Sequence, residues 1–517
     1  MSQLVDVGAL IRTLAPELTL CAGALVMLLA TVWQKQGTSS AAAEGAERTR
    51  MVTRLGMLLV VVVAGICMVM WTRNAPGSAD MRMAGDGFRW GTDIVVLLGT
   101  LLTLVLVDAD HRRSGAYGPE VPVLVVLAAS GMMILAGARD MMFVFLGIEL
   151  MSIAVYILAG SNRRSARSAE SGMKYFLLGS FSTGFLLYGM AMIFGATGST
   201  RLVDIGQWFV SQQGSSTIFI LGIGLLLVGF SFKVAAVPFH LWTPDVYDGA
   251  PLPVTAFMAA AVKTAAFASF GRVMFEAFGA SGDQWHVVLW WVAAATMVIG
   301  NIMALTQRNL VRMLAYSSIA HAGYLLVALV VNSESGMTAL LFYVAAYTLA
   351  TMGAFGVLVI VNGGRHSAPT MDDVAGLWHV RPGLALSMTV FLLAFLGFPL
   401  LGGIGFFAKW YILQAMLESS TREVVLAVLL VLTSAVSAGY YLAVAGAMFM
   451  RQRTEGQGIP SGTPETHALI TIAAVAILIF GIYPTPVIGL ARKATASLVG
   501  EMAARPVTPG SFTGLVR

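Results

Sequence analysis

The chain has 517 residues, of which 57% are hydrophobic and 11% are charged, and its mean hydropathy is +0.81. A soluble domain averages about 25% charged residues, so this balance excludes an ordinary soluble enzyme and is typical of a membrane protein. The formal net charge is +5, but the basic residues are scattered over many short loops, which argues against nucleic acid as a partner.

Apolar runs long enough to cross a bilayer recur along the whole chain, since a transmembrane helix needs about 20 apolar residues. Because lipid cannot hydrogen-bond the backbone, these runs predict an all-α polytopic membrane fold surrounded by the lipid bilayer. We expect about fourteen spans, near residues 18–33, 52–72, 92–108, 119–137, 141–160, 172–195, 216–248, 252–278, 286–305, 312–331, 337–361, 383–413, 424–449 and 468–490.

The seventh and twelfth of these runs are long and interrupted. The seventh contains GFSFKVAAVPFHLWTPDVY (229–247), in which Lys233 precedes Pro238. The twelfth contains FLGFPLLGGIGFFAKWYIL (395–413), in which Pro399 and several glycines precede Lys409. Proline removes a helix hydrogen bond and glycine lowers helix stability, so both spans are expected to be broken near the middle of the membrane.

The spacing of the two broken spans predicts internal symmetry. They lie five helices apart, and an odd offset inverts one copy relative to the other. We therefore expect two inverted five-helix repeats, in spans four to eight and nine to thirteen. The corresponding segments are N-terminal helices 1–3 in residues 1–118, the first repeat in 119–278, the second in 286–449, and helix 14 with the tail in 450–517.

The distribution of Lys and Arg between alternate loops predicts the orientation in the membrane. One set of loops, which begins with Lys35, carries fifteen basic residues and is expected in the cytoplasm. The opposite set, with the two terminal tails left out, carries seven: Arg73, Arg82, Arg89, Arg139, Arg201, Arg272 and Arg422. With an even number of spans, both termini then face the outside.

Lysines inside apolar runs are the first candidates for chemistry. Lys233, Lys263 and Lys409 fall within such runs, and Lys174 lies near the start of the sixth span. A charged side chain at a helix centre costs about 2.5–3.5 kcal/mol on insertion scales, so three of them point to a function. Lys174 is close enough to the cytoplasmic edge to extend its amine to the surface, and both interpretations stay open for it.

Glu149, in FLGIELMS, is interpreted as the only carboxylate deep within an apolar span. A buried carboxylate needs either a proton or a cationic partner, and Lys233 in the same repeat is the natural candidate. A static ion pair that locks two helices is the alternative. We favour a pair that exchanges protons. Lys233, Lys263 and Lys409 form a series of lysines in apolar spans, the last two have no obvious acidic partner, and buried lysines can exchange protons.

Two histidines are candidates for a proton relay. His321 lies within the tenth span between lysine-bearing helices, and His240 follows the break at Pro238. Each is also consistent with an ordinary hydrogen-bonded core histidine. The others lie in loops or near span ends, where a solvated surface role is expected: His111, His286, His366, His379 and His467.

Motifs for cofactors and nucleotides are missing from the sequence. It contains no Walker-type or Rossmann glycine pattern, no HExxH and no CxxC, and its only cysteines are Cys21 and Cys67. We therefore expect no metal site, no Fe–S cluster and no other cofactor bound to this chain. The driving energy must come from an ion gradient or from partner subunits.

Three stretches carry a family resemblance. FKVAAVPFHLWTPDVYDGAPLPVTAF (232–257), QRNLVRMLAYSSIAHAGYLLVAL (307–329) and GFPLLGGIGFFAKWYIL (397–413) resemble the antiporter-like subunits of bacterial respiratory complex I, the proton-translocating NADH–quinone oxidoreductase. Some members of that family read HTWLPDA where this chain has HLWTPDV. The resemblance covers nearly the whole chain and implies a multi-pass protein of the bacterial plasma (inner) membrane.

The resemblance also implies roles for individual residues. Glu149 and Lys233 match the family's switching pair, Lys263 its central proton carrier, His321 its connecting axis and Lys409 its terminal lysine position. Lys174 and His240 match family positions of less certain role.

Cofactors and partners follow from the same resemblance. FMN, Fe–S clusters, NADH and a quinone are implied for the complex, in neighbouring subunits. The implied partners are other membrane subunits of the complex: the sister antiporter-like M and L subunits, the small K, J and A subunits, and the H subunit.

Two other functions are compatible with the sequence. A subunit of a multisubunit cation/proton antiporter or of a membrane-bound hydrogenase would share the fold without using NADH. In a purely structural scaffold the buried charges would only lock helices together.

Overall fold

A computed structural model describes residues 7–33, 41–73, 77, 82–212, 216–365, 367–419, 423–453 and 461–503. Within these ranges the regular structure is helical, as the sequence predicts. Lys35, His366 and Arg422 lie outside the described residues.

The first six predicted spans are six helices, preceded by one short helix. In chain order these are α1 (Val7–Thr13), α2 (Ala15–Trp33), α3 (Ala41–Thr72), α4 (Gly87–Ser114), α5 (Glu120–Gly137), α6 (Met141–Ala159) and α7 (Ala166–Thr197). Asp86, Asp140 and Ser165 cap α4, α6 and α7, because each side chain accepts a hydrogen bond from an otherwise unpaired first-turn N–H. An additional amphipathic helix, α8 (Leu202–Ser211), lies in a stretch where the sequence predicts only a loop.

The seventh span is broken, as predicted. It consists of α9 (Thr217–Val234) and α10 (Trp242–Gly249), separated by an irregular segment that contains Pro238. The eighth span is α11 (Leu252–Phe257), a π-helical turn (Met258–Val262) and α12 (Lys263–Phe278). Lys263 is therefore the first residue after a widened turn.

The second half of the chain repeats this pattern of long helices and one break. It comprises α13 (Gly282–Leu305), α14 (Leu310–Val330), α15 (Glu334–Asn362), α16 (Met371–Val374), α17 (Leu377–Val380), α18 (Pro382–Leu396), α19 (Ile404–Ser419), α20 (Glu423–Met450), α21 (Pro464–Ile482) and α22 (Thr485–Ala503). The twelfth span is broken between α18 and α19, as predicted.

The described helices account for all fourteen expected spans. Eleven stretches are long and apolar enough to cross a membrane, and one of them, Leu252–Leu305, contains two spans. The shorter helix Ala15–Thr31 and the broken pair α18–α19 supply the other two. The predicted end of the last span at residue 490 is wrong, because α21 ends at Ile482 and Pro484 cannot continue its hydrogen bonding.

Helices α14 and α15 form the centre of the molecule. The membrane span of α14 is completely enclosed, and α15 contacts α4, α14, α18, α19, α21 and α22. Helix α13 crosses α14 closely at Gly300, where a Cβ atom would lie 2.6 Å from the backbone nitrogen of Ala320. Such contact allows little motion of α14, so its polar side chains are held at fixed positions in the interior.

Candidate functional site

Lys233 lies in the last turn of α9, immediately before the helix break. Its side chain is buried, and Nζ donates hydrogen bonds to Ser152 Oγ at 2.8 Å and to Tyr156 OH at 3.2 Å. Helix α9 ends because Ala235 takes a left-handed φ of 61°. Lys233 is therefore fixed against α6, the helix that carries Glu149.

Glu149 is not in direct contact with Lys233. No ion pair joins the two side chains within 4 Å among the described residues, and the buried Oε1 of Glu149 has no hydrogen-bond partner there. Glu149, Ser152 and Tyr156 follow each other at helical spacing and share one face of α6. Lys233 thus occupies the position next to Glu149 on that face, and the direct pair expected from the sequence remains a prediction.

Lys263 follows the π-helical turn in the eighth span. Its side chain is 3% exposed, and Nζ donates to the backbone oxygen of Ser318 at 2.7 Å and to Ser318 Oγ at 2.6 Å. Among the described residues no carboxylate lies within ion-pair distance of Lys263, as the sequence leads us to expect. π-Turns within α-helices are often found at functional sites.

His321 lies one helical turn beyond Ser318 on α14, on the same face. Its Nδ1 is 2.7 Å from Tyr343 OH, and its Nε2 is 3.2 Å from Tyr441 OH. A neutral imidazole donates through one nitrogen and accepts through the other, so both hydroxyls can be satisfied at once. Tyr441 OH in turn shares a hydrogen bond with Ser317 Oγ.

Lys409 bridges the second helix break. It belongs to α19, but its Nζ donates to the backbone oxygen of Leu396, the last residue of α18, at 2.9 Å. It also donates to Ser434 Oγ at 3.0 Å and lies 4.7 Å from the ring centre of Tyr324. No acidic partner lies within ion-pair distance in the described part of the chain.

A polar connection joins His321 to Lys409. The ring of Tyr440 is adjacent to that of Tyr441, with centroids 4.4 Å apart. Tyr440 OH donates to Asn301 Oδ1 at 2.9 Å, and Asn301 Nδ2 donates to Tyr324 OH at 3.1 Å. Because Lys409 Nζ lies over the ring of Tyr324, a series of hydrogen bonds and ring contacts connects the two candidate residues.

Lys174 and His240 occupy different surroundings. Lys174 is 42% exposed and pairs with Glu170 at 2.7 Å and Asp245 at 3.2 Å. Asp245 also pairs with Arg312, so Lys174 belongs to an ion network at the membrane surface rather than to the buried row. His240 is buried, and its Nδ1 has no hydrogen-bond partner among the described residues.

The structure places some loop-assigned residues in the interior. Arg89, Arg139 and Arg272, counted as loop residues from the sequence, are each at most 2% exposed and pair with buried carboxylates. His111, expected at a solvated position, is buried in α4. Glu149 is also not the only carboxylate within a span, because Asp93 in α4 is completely buried.

Sequence reasoning missed the hydroxyl and amide groups around the lysines. Ser152, Ser318 and Ser434 each accept a hydrogen bond from a lysine, and Asn301 continues the connection. Serine is common in membrane helices, so its presence alone carries little signal. The helical spacing of Ser152 from Glu149, and of Ser318 from His321, was the clue available in the sequence.

Comparisons with known proteins support the resemblance. Residues 138–437 match the family described as NADH:quinone oxidoreductase/Mrp antiporter, TM. The chain is 63% identical over 497 residues to NADH-quinone oxidoreductase subunit N of Gemmatimonas aurantiaca, covering 96% of each chain. It is 37% identical over 487 residues to subunit N of Rhodospirillum rubrum, covering 93% of this chain and 96% of that one.

Solved structures show the same fold. A chain of respiratory complex I from Thermus thermophilus with bound aureothin has 34% identity and a TM-score of 0.76, with 92% of this chain and 99% of that chain covered. A chain of the Mrp complex from Dietzia sp. shares the fold at 20% identity, with a TM-score of 0.78 and coverage of 96% and 99%. The chain therefore belongs to the NADH:quinone oxidoreductase/Mrp antiporter transmembrane family and, within it, to the subunit N group of NADH-quinone oxidoreductases.

Proposed function

We propose that this chain moves protons from the cytoplasm to the outside as a membrane-arm subunit of an NADH–quinone oxidoreductase. The observation that carries the proposal is the row of Lys233, Lys263 and Lys409, each buried and each bonded to hydroxyl, carbonyl or aromatic groups rather than to a carboxylate. Such lysines can lose a proton without leaving an unpaired carboxylate behind. Relatives at 63% and 43% identity that bear the name NADH-quinone oxidoreductase subunit N support membership in that complex.

The electrons travel elsewhere in the complex. FMN, the Fe–S clusters and the sites for NADH and quinone belong to other subunits, and this chain contributes to the translocase without holding a redox centre. Cys21 and Cys67 are its only cysteines, and a typical Fe–S cluster needs four cysteine ligands.

The route begins at Lys233. Ser152 and Tyr156 bind its ammonium, and Ser152 lies one helical turn from Glu149 on α6, about 4.5 Å of helix rise. Moving Lys233 onto Glu149 stabilises the charged amine, and moving it back to the hydroxyls weakens its hold on the proton. The pair therefore works as a switch with two positions of the lysine side chain.

The proton then passes to Lys263 and along α14. Ser318, which binds Lys263, and His321 lie one turn apart on the same face of that helix. His321 contacts Tyr441, and the connection through Asn301 and its tyrosine neighbours reaches Lys409. Lys409 is the last carrier before the outside.

The hydrogen-bond energies at Lys233 are similar in size to the cost of moving a proton against the membrane potential. Moving one charge against the membrane potential costs about 2.3 kcal/mol per 100 mV. A hydrogen bond to a charged group contributes about 1.5–3 kcal/mol, so exchanging one or two partners of Lys233 spans the same range. Quinone reduction in the neighbouring subunits supplies this energy through a chain of buried charges.

The orientation follows from the charged surfaces. Arg167, Lys174 and Arg312 lie together at one membrane face, which we place in the cytoplasm. Both termini then face outside in the bacterial inner membrane. The neighbours are the sister M and L subunits, the small K, J and A subunits, and the H subunit.

Replacing Lys263 with methionine in the assembled complex tests the proposal. Methionine has similar length but no charge, so K263M should abolish or sharply reduce proton pumping in reconstituted vesicles driven by NADH. The matched control is K493M, because Lys493 is exposed on α22. Pumping by K263M at the parental ratio of protons to electrons would refute the central role of Lys263.

The scaffold alternative makes the opposite prediction. If the buried charges only locked helices, E149Q and K409M would assemble poorly, yet any complex that did form would pump normally. We expect these variants to assemble and to lose pumping. A purified complex without NADH dehydrogenase activity, flavin and Fe–S signals would instead favour an antiporter or hydrogenase.

A further inference from the structure

A second group of buried charges lies away from the lysine row. It contains seven ionisable side chains on α2, α4, α12 and the segments that flank α4 and α5, and each is at most 5% exposed. Its members are Glu17, Asp86, Arg89, Asp93, Arg139, Arg272 and Glu276. Four carboxyls therefore face three guanidiniums in this network.

One half of the network is balanced. Asp86 accepts hydrogen bonds from both terminal nitrogens of Arg272, at 2.7 and 2.8 Å. Glu276 Oε1 accepts from Arg272 at 2.7 Å and from Arg139 at 3.0 Å. Two carboxylates and two guanidiniums compensate each other here, so this half needs no added proton.

The other half has one acid too many. Arg89 is the only guanidinium among the described residues within ion-pair distance of Glu17 or Asp93, and it donates to Glu17 Oε1 at 2.5 Å. Its Nε lies 3.5 Å from Asp93 Oδ2, and its remaining bonds go to the carbonyls of Ala84 and Thr13. One positive charge therefore serves two buried carboxyls.

Asp93 is the less well satisfied of the two. It is 0% exposed, and neither carboxyl oxygen has a hydrogen-bond partner in the described part of the chain. The other charged groups near it are Glu17, Arg272 and Asp86, and Cys67 on α3 is a buried thiol in the same region. None of these adds a positive charge that the balanced half does not already use.

An ionised carboxylate buried without a partner is so costly that such groups take up a proton instead. Two carboxyls that share one cationic partner therefore hold one proton between them. We propose that Glu17 and Asp93 form a proton-binding site around Arg89, in which one carboxyl is protonated while the other pairs with the guanidinium. This site goes beyond the proposed lysine row and does not depend on it.

The proposed site has two states, which differ in the carboxyl that pairs with Arg89. Arg89 now pairs with Glu17, which places the proton on Asp93. If the guanidinium swings to Asp93, the proton moves to Glu17 and the net charge of the triad is unchanged. In both states the ionised carboxylate is paired with the guanidinium, so the exchange leaves no carboxylate without a cationic partner.

The site lies close to the helix that carries Lys263. Helix α4 packs on the π-helical turn, where a Cβ atom at Gly99 would lie 3.1 Å from the Cβ of Ala261. Asp93 is six residues from Gly99, about 9 Å of helix rise toward the membrane face at which α12 ends. The bound proton is thus held between the level of Lys263 and that face.

Infrared spectroscopy of the assembled complex tests the site, because a protonated carboxyl has a carbonyl stretch that a carboxylate lacks. D93N should remove one such band. E17Q should also remove it, since the single remaining acid then pairs with Arg89 in ionised form. E334Q, at an exposed acid, is the matched control and should leave the spectrum of protonated carboxyls unchanged.

Other results would overturn the proposal. A band that persists in D93N, or that persists in E17Q, would show that the two carboxyls do not share a proton. The double variant E17Q/D93N leaves Arg89 without a counter-ion and should assemble far less well than either single variant, and equal assembly would also contradict the sharing. If D93N does not assemble, E17Q carries the same spectroscopic prediction, and K263M tests the lysine row separately.

Discussion

Ser152 offers a direct test of the switch at Lys233. The ammonium is held away from Glu149 by two hydroxyls, and Ser152 provides the shorter contact, at 2.8 Å. Replacing Ser152 with alanine removes that acceptor with little loss of volume. The lysine side chain should then move toward Glu149, one helical turn away, and remain paired with it for longer.

The size of the effect follows from the hydrogen bond that is lost. A bond to a charged group contributes about 1.5–3 kcal/mol, and every 1.4 kcal/mol changes an equilibrium about tenfold. S152A should therefore shift the balance between the two positions of Lys233 toward Glu149 by about ten- to a hundredfold. A step that starts from the hydroxyl-bound position of Lys233 slows by the same factor because that position is populated less, so pumping and coupled NADH oxidation should fall together.

The assay compares initial rates of vesicle acidification and of NADH oxidation in reconstituted complex. S152T keeps a hydroxyl and should restore most of the rate. S182A is the matched control, since Ser182 is also buried in a membrane helix but has no hydrogen-bond partner among the described residues. If S152A pumps as fast as S182A, the two-position switch is wrong.

Two further predictions concern charges outside the lysine row. R272M should destabilise the complex by roughly 3–5 kcal/mol, because Asp86 loses both of its guanidinium hydrogen bonds in a buried site; a thermal unfolding midpoint equal to that of the parent would contradict this. Partial burial raises the pKa of Asp373, but hydrogen bonds from Thr370 and Arg365 outweigh burial and hold that pKa below its usual value. The ionised carboxylate of Asp373 therefore stabilises its loop fully at pH values above about 3.9, the pKa of an unperturbed aspartate. That stabilisation is lost as the pH falls further, through the lower pKa that Asp373 has in the folded protein. Acid proteolysis of the loop should accelerate over that range in the parent, whereas D373N should be cut rapidly throughout.

Sequence alone was enough to predict the spans and the two breaks. Pro238, and Pro399 with its neighbouring glycines, interrupt apolar runs that are otherwise long enough to cross the membrane, and both interruptions are breaks in the structure. The burial of Lys233, Lys263 and Lys409 also followed from their place in those runs. Residues that are neighbours in the sequence determine these features, so a single sequence is sufficient to predict them.

The partners of these residues could not be predicted in the same way. Ser318 lies 55 residues from Lys263, and Asp86 lies 186 residues from Arg272, so only the packed helices bring them together. Arg272 lies near the end of its span, where a basic residue in the sequence is equally compatible with an exposed loop position and with a buried helical position. Its burial depends on a carboxylate contributed by another helix, which no single-sequence pattern reveals.

The bond from Lys409 to Leu396 has a mechanical consequence. The carbonyl end of α18 carries a partial negative charge of roughly half an electron, and the ammonium of Lys409 on α19 is attached to it across the gap between the half-helices. A charged lysine therefore pulls the two half-helices together, and a neutral lysine pulls less. If Lys409 carries a proton during turnover, as proposed above, each change in its charge alters the attraction that holds α18 and α19 together across the break.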